Sequence, residues 1–299
     1  MKKMFSFFLL VVLTNFFVNQ TSYSQEAEMD EGYNPLSLRQ VHKDYVMWNR
    51  TIWQRIEMKE KINRPFFSVN REISKIIIDA VKVNDLIAYW PDQDEYYDSA
   101  IRVMSPTDFL AQLEKEPEIE DECEYDDNGC NESGCPGDVF FEPCADEEVD
   151  YIPDNAFSAF RIRENVYFDR IHSRLYFDIQ TITMLLPANS DHNIGFLTKG
   201  ADKQIATFRF IDLYKLFKNK NLPYYKYSIW FNKHNTAQHK NMGDAFLLRL
   251  FSGNIVKFSN FENQKLTSFY ANDGTVSSLD KSREYLLMLM EWESNLWEY

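Results

Sequence analysis

Phe160 to Ile179, FRIRENVYFDRIHSRLYFDI, carries the period on which the fold turns. Phe160, Ile162, Val166 and Phe168 alternate with polar residues. Leu175, Phe177 and Ile179 repeat the alternation beyond a polar stretch from Asp169 to Arg174. Side chains two apart share one face of a strand, so each run presents an apolar and a polar face. Two such runs across a short polar connection predict an antiparallel hairpin.

Working outward, strand-like runs recur at Ile205–Ile211, Tyr225–Phe231 and Ile255–Phe258. Helical spacing is expected from Asp44 to Ile62, where Tyr45, Trp48, Ile52 and Ile56 recur every three or four residues before Asn63-Arg64-Pro65 ends the run. Glu72–Val81 reads as a second helix through Ile73, Ile76, Ile77 and Val81. Ser105-Pro106-Thr107-Asp108 is a helix start: a capping hydroxyl, a first-turn proline and an acid. Asp244–Phe251 reads as a helix, and an amphipathic helix from about Leu279 to Tyr299 groups Tyr285, Leu289, Trp292, Leu296 and Tyr299 on one face. The orders mix without a repeat. The expected fold class is α+β, with mixed helices and antiparallel hairpins in a single globular domain interrupted by an acidic, cysteine-bearing loop.

That loop holds the charge imbalance. The chain has 299 residues, long enough for a substantial core, and a formal net charge of −14. Glu114 to Asp154 contains seventeen acidic residues and one basic residue, Lys115. The remainder is close to balanced. An acidic chain of this kind is ill suited to a nucleic acid backbone, and no polybasic amphipathic face offers itself to a membrane surface. Four segments follow: 1–24, 25–113 with a helical character, the insert 114–154, and 155–299.

The first segment reads as a secretory signal peptide. Lys2 and Lys3 precede an apolar run from Met4 to Val18, and Ser22-Tyr23-Ser24 supplies small residues before a cut at Gln25. The apolar run is too short to span a bilayer, and no Cys near the cut could take a lipid. The mature chain is expected to be exported and soluble, with any membrane association borrowed from a partner rather than made by direct insertion.

All four cysteines, Cys123, Cys130, Cys135 and Cys144, fall inside the acidic insert. In an exported chain they are candidates for two disulfides, with three pairings open. A zinc site fits less well, because the spacings lack a Cys-x-x-Cys. Glu124, Asp126, Asn128 and Glu132 around Gly129 are weak calcium candidates, since the position for a bidentate glutamate is occupied by Cys135. No metal or other cofactor is called for.

Enzyme motifs are missing: no Gly-x-Ser-x-Gly elbow, no phosphate-cradling glycine loop, no His-Glu-x-x-His. His234 and His239 are five apart and do not share a helical face. Trp48, Trp53, Trp292 and Trp297 are core candidates or, because Trp anchors interfaces, partner-interface candidates.

Several blocks together carry a resemblance. Asp44-Tyr45-Val46-Met47-Trp48, Ile52-Trp53 and Lys61-Ile62-Asn63-x-Pro65 come first. Arg161 to Asp169 follows, then Asp244-x-Phe246-x-x-Arg249-x-Phe251-x-x-x-Ile255-Val256-Lys257, and finally Asn295 to Tyr299. In this order they resemble the gliding motility family GldN, also called PorN. The acidic insert does not align with that pattern. The resemblance implies a non-enzymatic periplasmic part of the type IX secretion system. It further implies a ring formed with a GldK-like (PorK-like) outer-membrane lipoprotein and contact with the periplasmic arm of a GldM-like (PorM-like) inner-membrane motor protein. The rival readings from residues alone are a calcium-responsive or binding module using the insert, and a hydrolase converging His192 or His234 on a serine and an acid.

Overall fold

A computed structural model describes residues 33–91, 102–115, 150–192, 201–269 and 278–296. The strands are β1 (Val46–Glu57), β2 (Phe67–Ser68), β3 (Arg71–Glu72), β4 (Ala88–Tyr89), β5 (Val103–Met104), β6 (Ala159–Asp169), β7 (Arg174–Leu186), β8 (Lys203–Arg209), β9 (Ile229–Trp230), β10 (Lys240–Asn241) and β11 (Asn254–Phe258). The helices are α1 (Ile73–Lys82), α2 (Pro106–Gln112), α3 (Phe210–Lys218), α4 (Met242–Leu247), α5 (Leu266–Phe269) and α6 (Ser278–Leu296). Seven strands make one antiparallel sheet in the order β11-β1-β6-β7-β8-β4-β5, and two short pairs stand apart. The fold is α+β.

The hairpin read from Phe160–Ile179 is the centre of that sheet. Ile162 pairs with Ile182, Val166 with Phe177 and Phe168 with Leu175, so the apolar alternation falls on one face. A bulge between Arg163 and Glu164 keeps both halves in phase.

The expected helix over Asp44–Ile62 is instead β1, twelve residues long and paired with both β6 and β11. A spacing of four satisfies both periods, so Trp48, Ile52 and Ile56 share a face in a strand as they would in a helix. The intervening Arg50 and Gln54 also point to that face, and β-branched and aromatic residues favour the pleat. Residues 210–211, expected to end a strand, begin α3. Of Tyr225–Phe231, only Ile229–Trp230 is a strand; Pro223–Lys226 is a 3-10 turn.

Elsewhere local chemistry does what it announces. Ser105 caps α2 by accepting from the Asp108 amide at 3.1 Å. Asn241 caps α4 through the Gly243 amide at 2.9 Å and donates to Phe217 O at 2.7 Å, tying α4 to α3. A Cβ on Gly243 would lie 2.8 Å from Tyr214 Cδ2, so glycine permits that approach.

Two apolar clusters cover one sheet face. The larger joins Ile56, Phe66, Ile77, Phe160, Ile182, Phe208, Leu213 and Phe246 beneath α1, α3 and α4. The smaller joins Ile52, Val166, Ile255, Phe258, Leu266, Tyr285 and Leu289 beneath α5 and α6. The opposite face is polar. There Trp53 lies between its register partners Lys257 and Arg163, with Lys257 Nζ 4.7 Å and Arg163 Cζ 5.8 Å from the ring centre.

Glu114 and Tyr151 form a bridge, with the Lys115 amide on Asp150 O at 3.0 Å and the Ile152 amide on Leu113 O at 2.8 Å. Leu113 and Ile152 are buried in the larger cluster. The two described ends that flank residues 116–149 are therefore paired with each other. The signal-peptide reading and the body of the acidic insert lie outside the described residues.

Candidate partner interface

Trp48 and Trp292 meet. Their ring centres are 4.5 Å apart, and Phe168, the register partner of Trp48, meets Trp292 edge-on at 6.1 Å and 89°. Arg50 lies over Trp48 and Phe258 at 5.9 and 5.6 Å and donates from Nη1 to the Tyr285 hydroxyl at 3.1 Å. Tyr285 stacks on Phe258 at 4.7 Å and 11°. Ser282 Oγ accepts from the Ile255 amide at 2.7 Å. One side of α6 is thus fastened to β1, β6 and β11 by aromatic rings and two hydrogen bonds.

The other side of α6 is exposed and sets three apolar side chains among the charged Arg283, Glu284 and Glu291. Leu287 and Met290, three residues apart, are 62% and 63% exposed, and Met288 is also exposed. Leu287 and Met290 are helical neighbours and face solvent together. A second exposed apolar region surrounds a shallow cavity of about 320 Å³ lined by Ile62, Pro65, Trp230, Phe231 and Leu250. Ile62 and Phe231 on its rim are exposed, as are Leu247 and Leu248.

The other sequence candidates are placed differently. Trp53 is buried in the polar side of the sheet and offers no surface to a partner. Trp297, the four cysteines and the weak calcium candidates lie outside the described residues. The His239 ring stacks on Phe231 at 4.6 Å and its Nδ1 accepts from the Asn232 amide, while the His234 amide donates to Asn232 Oδ1. Both histidines serve a loop. Among the described residues no group of three or more His, Cys, Asp or Glu could hold a metal ion.

Two long-range clamps were not visible as such in the sequence. Glu164, fully buried between the two apolar clusters, accepts from Arg249 Nη1 and from Gln54 Nε2. Arg249 holds a left-handed φ of 52° and lies over the rings of Phe177 and Phe251 at 4.3 and 5.2 Å. Asn63, also fully buried, donates to Glu57 O and Ser252 O at 2.9 and 2.8 Å and accepts from the Ser252 amide at 2.8 Å. Both clamps close on the loop between α4 and β11. Their signals were a charged residue inside an apolar alternation and an asparagine at the end of an apolar run.

The geometry defines a class: a sheet-based scaffold that displays helix-borne and loop-borne apolar surface, with no helix among the described residues long and apolar enough to cross a membrane. Residues 41–298 match the family Gliding motility associated protein GldN, and the chain belongs to that family. The match runs from before β1 to beyond α6 and contains both clamps and the Trp48–Trp292 stack. It makes the chain a component of the gliding motility and type IX secretion machinery. No curated protein matches the chain.

Proposed function

We propose that this chain is a non-enzymatic, periplasmic structural subunit of that machinery. It assembles into a ring with a GldK-like outer-membrane lipoprotein and contacts the periplasmic arm of a GldM-like motor protein. The observation that carries the reading is the family match over residues 41–298. The exposed Leu287–Met290 face of α6 supports it, because it supplies apolar surface with which to hold a partner. Association with the outer membrane then comes from the lipoprotein, and the protein reaches the periplasm by its signal peptide. The four cysteines form two disulfides that staple the acidic insert.

Co-expression tests this. Alone in a heterologous periplasm the protein fractionates without the membrane; with the lipoprotein it moves to the outer-membrane fraction. Leu287→Asp combined with Met290→Asp abolishes that shift. Membrane association without a partner contradicts the proposal.

A further inference from the structure

Three segments that the long-range clamps hold together enclose the shallow cavity of about 320 Å³ described above. Lys61, Ile62 and Pro65 come from the segment after β1, Phe231 and Lys233 from the loop after β9, and Leu250 from the segment between α4 and β11. Asn63 binds Ser252 across the first and third of these, and Phe66 meets Trp230 at 6.5 Å across the first and second. Ile62 and Phe231 are nevertheless 60% and 44% exposed. Water-facing apolar side chains are here set on walls that are tied down, so the groove is formed before anything fills it.

Its charge has one sign. Arg249 is committed to Glu164, and the other charged residues of the lining are Lys61 and Lys233. Both lysines are exposed, and neither forms an ion pair with a described residue. The larger cavity on the polar sheet face includes Asp178 in its lining, and the one beside α1 includes Asp79; this groove includes no acid. The excess extends beyond the groove. Residues 213–243 hold six lysines and two histidines without one aspartate or glutamate, in a chain whose net charge is −14. Lys215 and Lys218 pair with the flanking Asp212 and Asp244, while Lys220, Lys226, Lys233 and Lys240 face solvent.

An apolar groove with a basic rim suits apolar side chains bracketed by acids. The chain itself carries such a segment. Within the acidic insert, Asp138-Val139-Phe140-Phe141-Glu142 sets three apolar side chains between two acids, and Asp146, Glu147 and Glu148 follow. A nucleic acid offers the charge without the apolar anchor and meets the acid excess of the rest of the chain.

We propose that the groove receives residues 138–142 of a second copy of this chain. A phenylalanine of the pair fills the cavity against Phe231 and Trp230, and Asp138 and Glu142 meet Lys61 and Lys233 at its rim. Groove and segment are different surfaces, so the contact is heterologous: copies add head to tail, and close into a ring where the rotation permits. The contact is separate from the α6 face and needs no lipoprotein.

Sedimentation velocity on the full mature chain, in a concentration series at low and high salt, tests it. The chain self-associates, and salt weakens the association because the rim charges are exposed. Lys61→Glu with Lys233→Glu raises the dissociation constant about tenfold or more, and Asp138→Lys with Glu142→Lys does the same. The two variants mixed, or all four substitutions placed in one chain, recover the association, since opposite charges face each other again; recovery also shows that the substituted chains fold. Leu287→Asp with Met290→Asp leaves self-association unchanged. A chain that stays monomeric at every concentration, as it does with the segment seated in its own groove, overturns the proposal. So does association indifferent to either pair of charge reversals, recovered by neither combination, or lost on the α6 substitutions instead. Recruitment by the lipoprotein of a chain that never self-associates refutes this contact and leaves the function proposed above standing.

Discussion

The two apolar clusters lie on the same sheet face and are built on different terms. The larger packs Phe66, Ile77, Phe160, Phe208, Phe210 and Phe246 to full burial beneath three helices. The smaller is held by half-buried rings, Trp48 against Trp292, with Arg50 lying over Trp48 and Phe258. Glu164, Gln54 and Arg249 sit at the boundary. The large cluster is the scaffold that makes the chain fold. The small one fastens a helix whose far side exposes Leu287 and Met290 among charged residues, the face proposed above to hold a partner.

Cutting into the scaffold produces the largest effect. Phe208→Ala, at a fully buried position, destabilises by about 3–5 kcal/mol in denaturant unfolding monitored by circular dichroism. At the boundary, Arg249→Ala strands the buried Glu164 carboxylate and costs about 3 kcal/mol or more. The double variant Arg249→Met with Glu164→Met recovers much of that loss. If Arg249→Ala is neutral, the ion pair does not join the two clusters.

Asp178 sharpens the contrast from the polar side. Burial pushes its carboxyl up to about 6, against the hydrogen bonds from Ser37 and Leu38 and the nearby Arg39, with Glu164 adding to the rise. The folded state therefore holds its proton more tightly than the unfolded chain does. This residue costs stability above about pH 6, and the cost is relieved as pH falls through 6 towards the ordinary carboxylate value. Asp178→Asn is expected to stabilise by about 2 kcal/mol at pH 8, with the gain shrinking to nothing by about pH 4. Melting curves across that range check both sign and window.

The smallest effect falls on the fastening. Trp292→Ala costs about 1–2 kcal/mol, since the ring is only partly removed from water. The loss appears as faster amide exchange confined to α6 and the β11 amides it covers.

The parts of this contrast that were legible in sequence are those written locally. The β6–β7 hairpin, α1, the Ser105 cap of α2, β11 and α6 each carry their own period or capping residue. β1 was misread because a spacing of four fits both helix and strand, and only its pairing with β6 and β11 decides between them. α3 was hidden because Phe208, Phe210 and Ile211 read on as one apolar run. Trp48 and Trp292 were both visible as candidates, but their stacking joins opposite ends of the chain. Glu164–Arg249 and the Asn63 clamp likewise depend on which loop the fold brings back, a long-range fact that no window of sequence contains.

Hydrogen exchange on the isolated mature chain, and again with the outer-membrane lipoprotein bound, tests the division of labour most directly. Alone, α6 amides exchange by local opening at lower free energy than those of β6 and β7; with the lipoprotein they become protected while β6 and β7 are unchanged. If α6 is as protected as the central hairpin in isolation, or gains no protection from the partner, the separation of a scaffold from a partner-holding helix is contradicted.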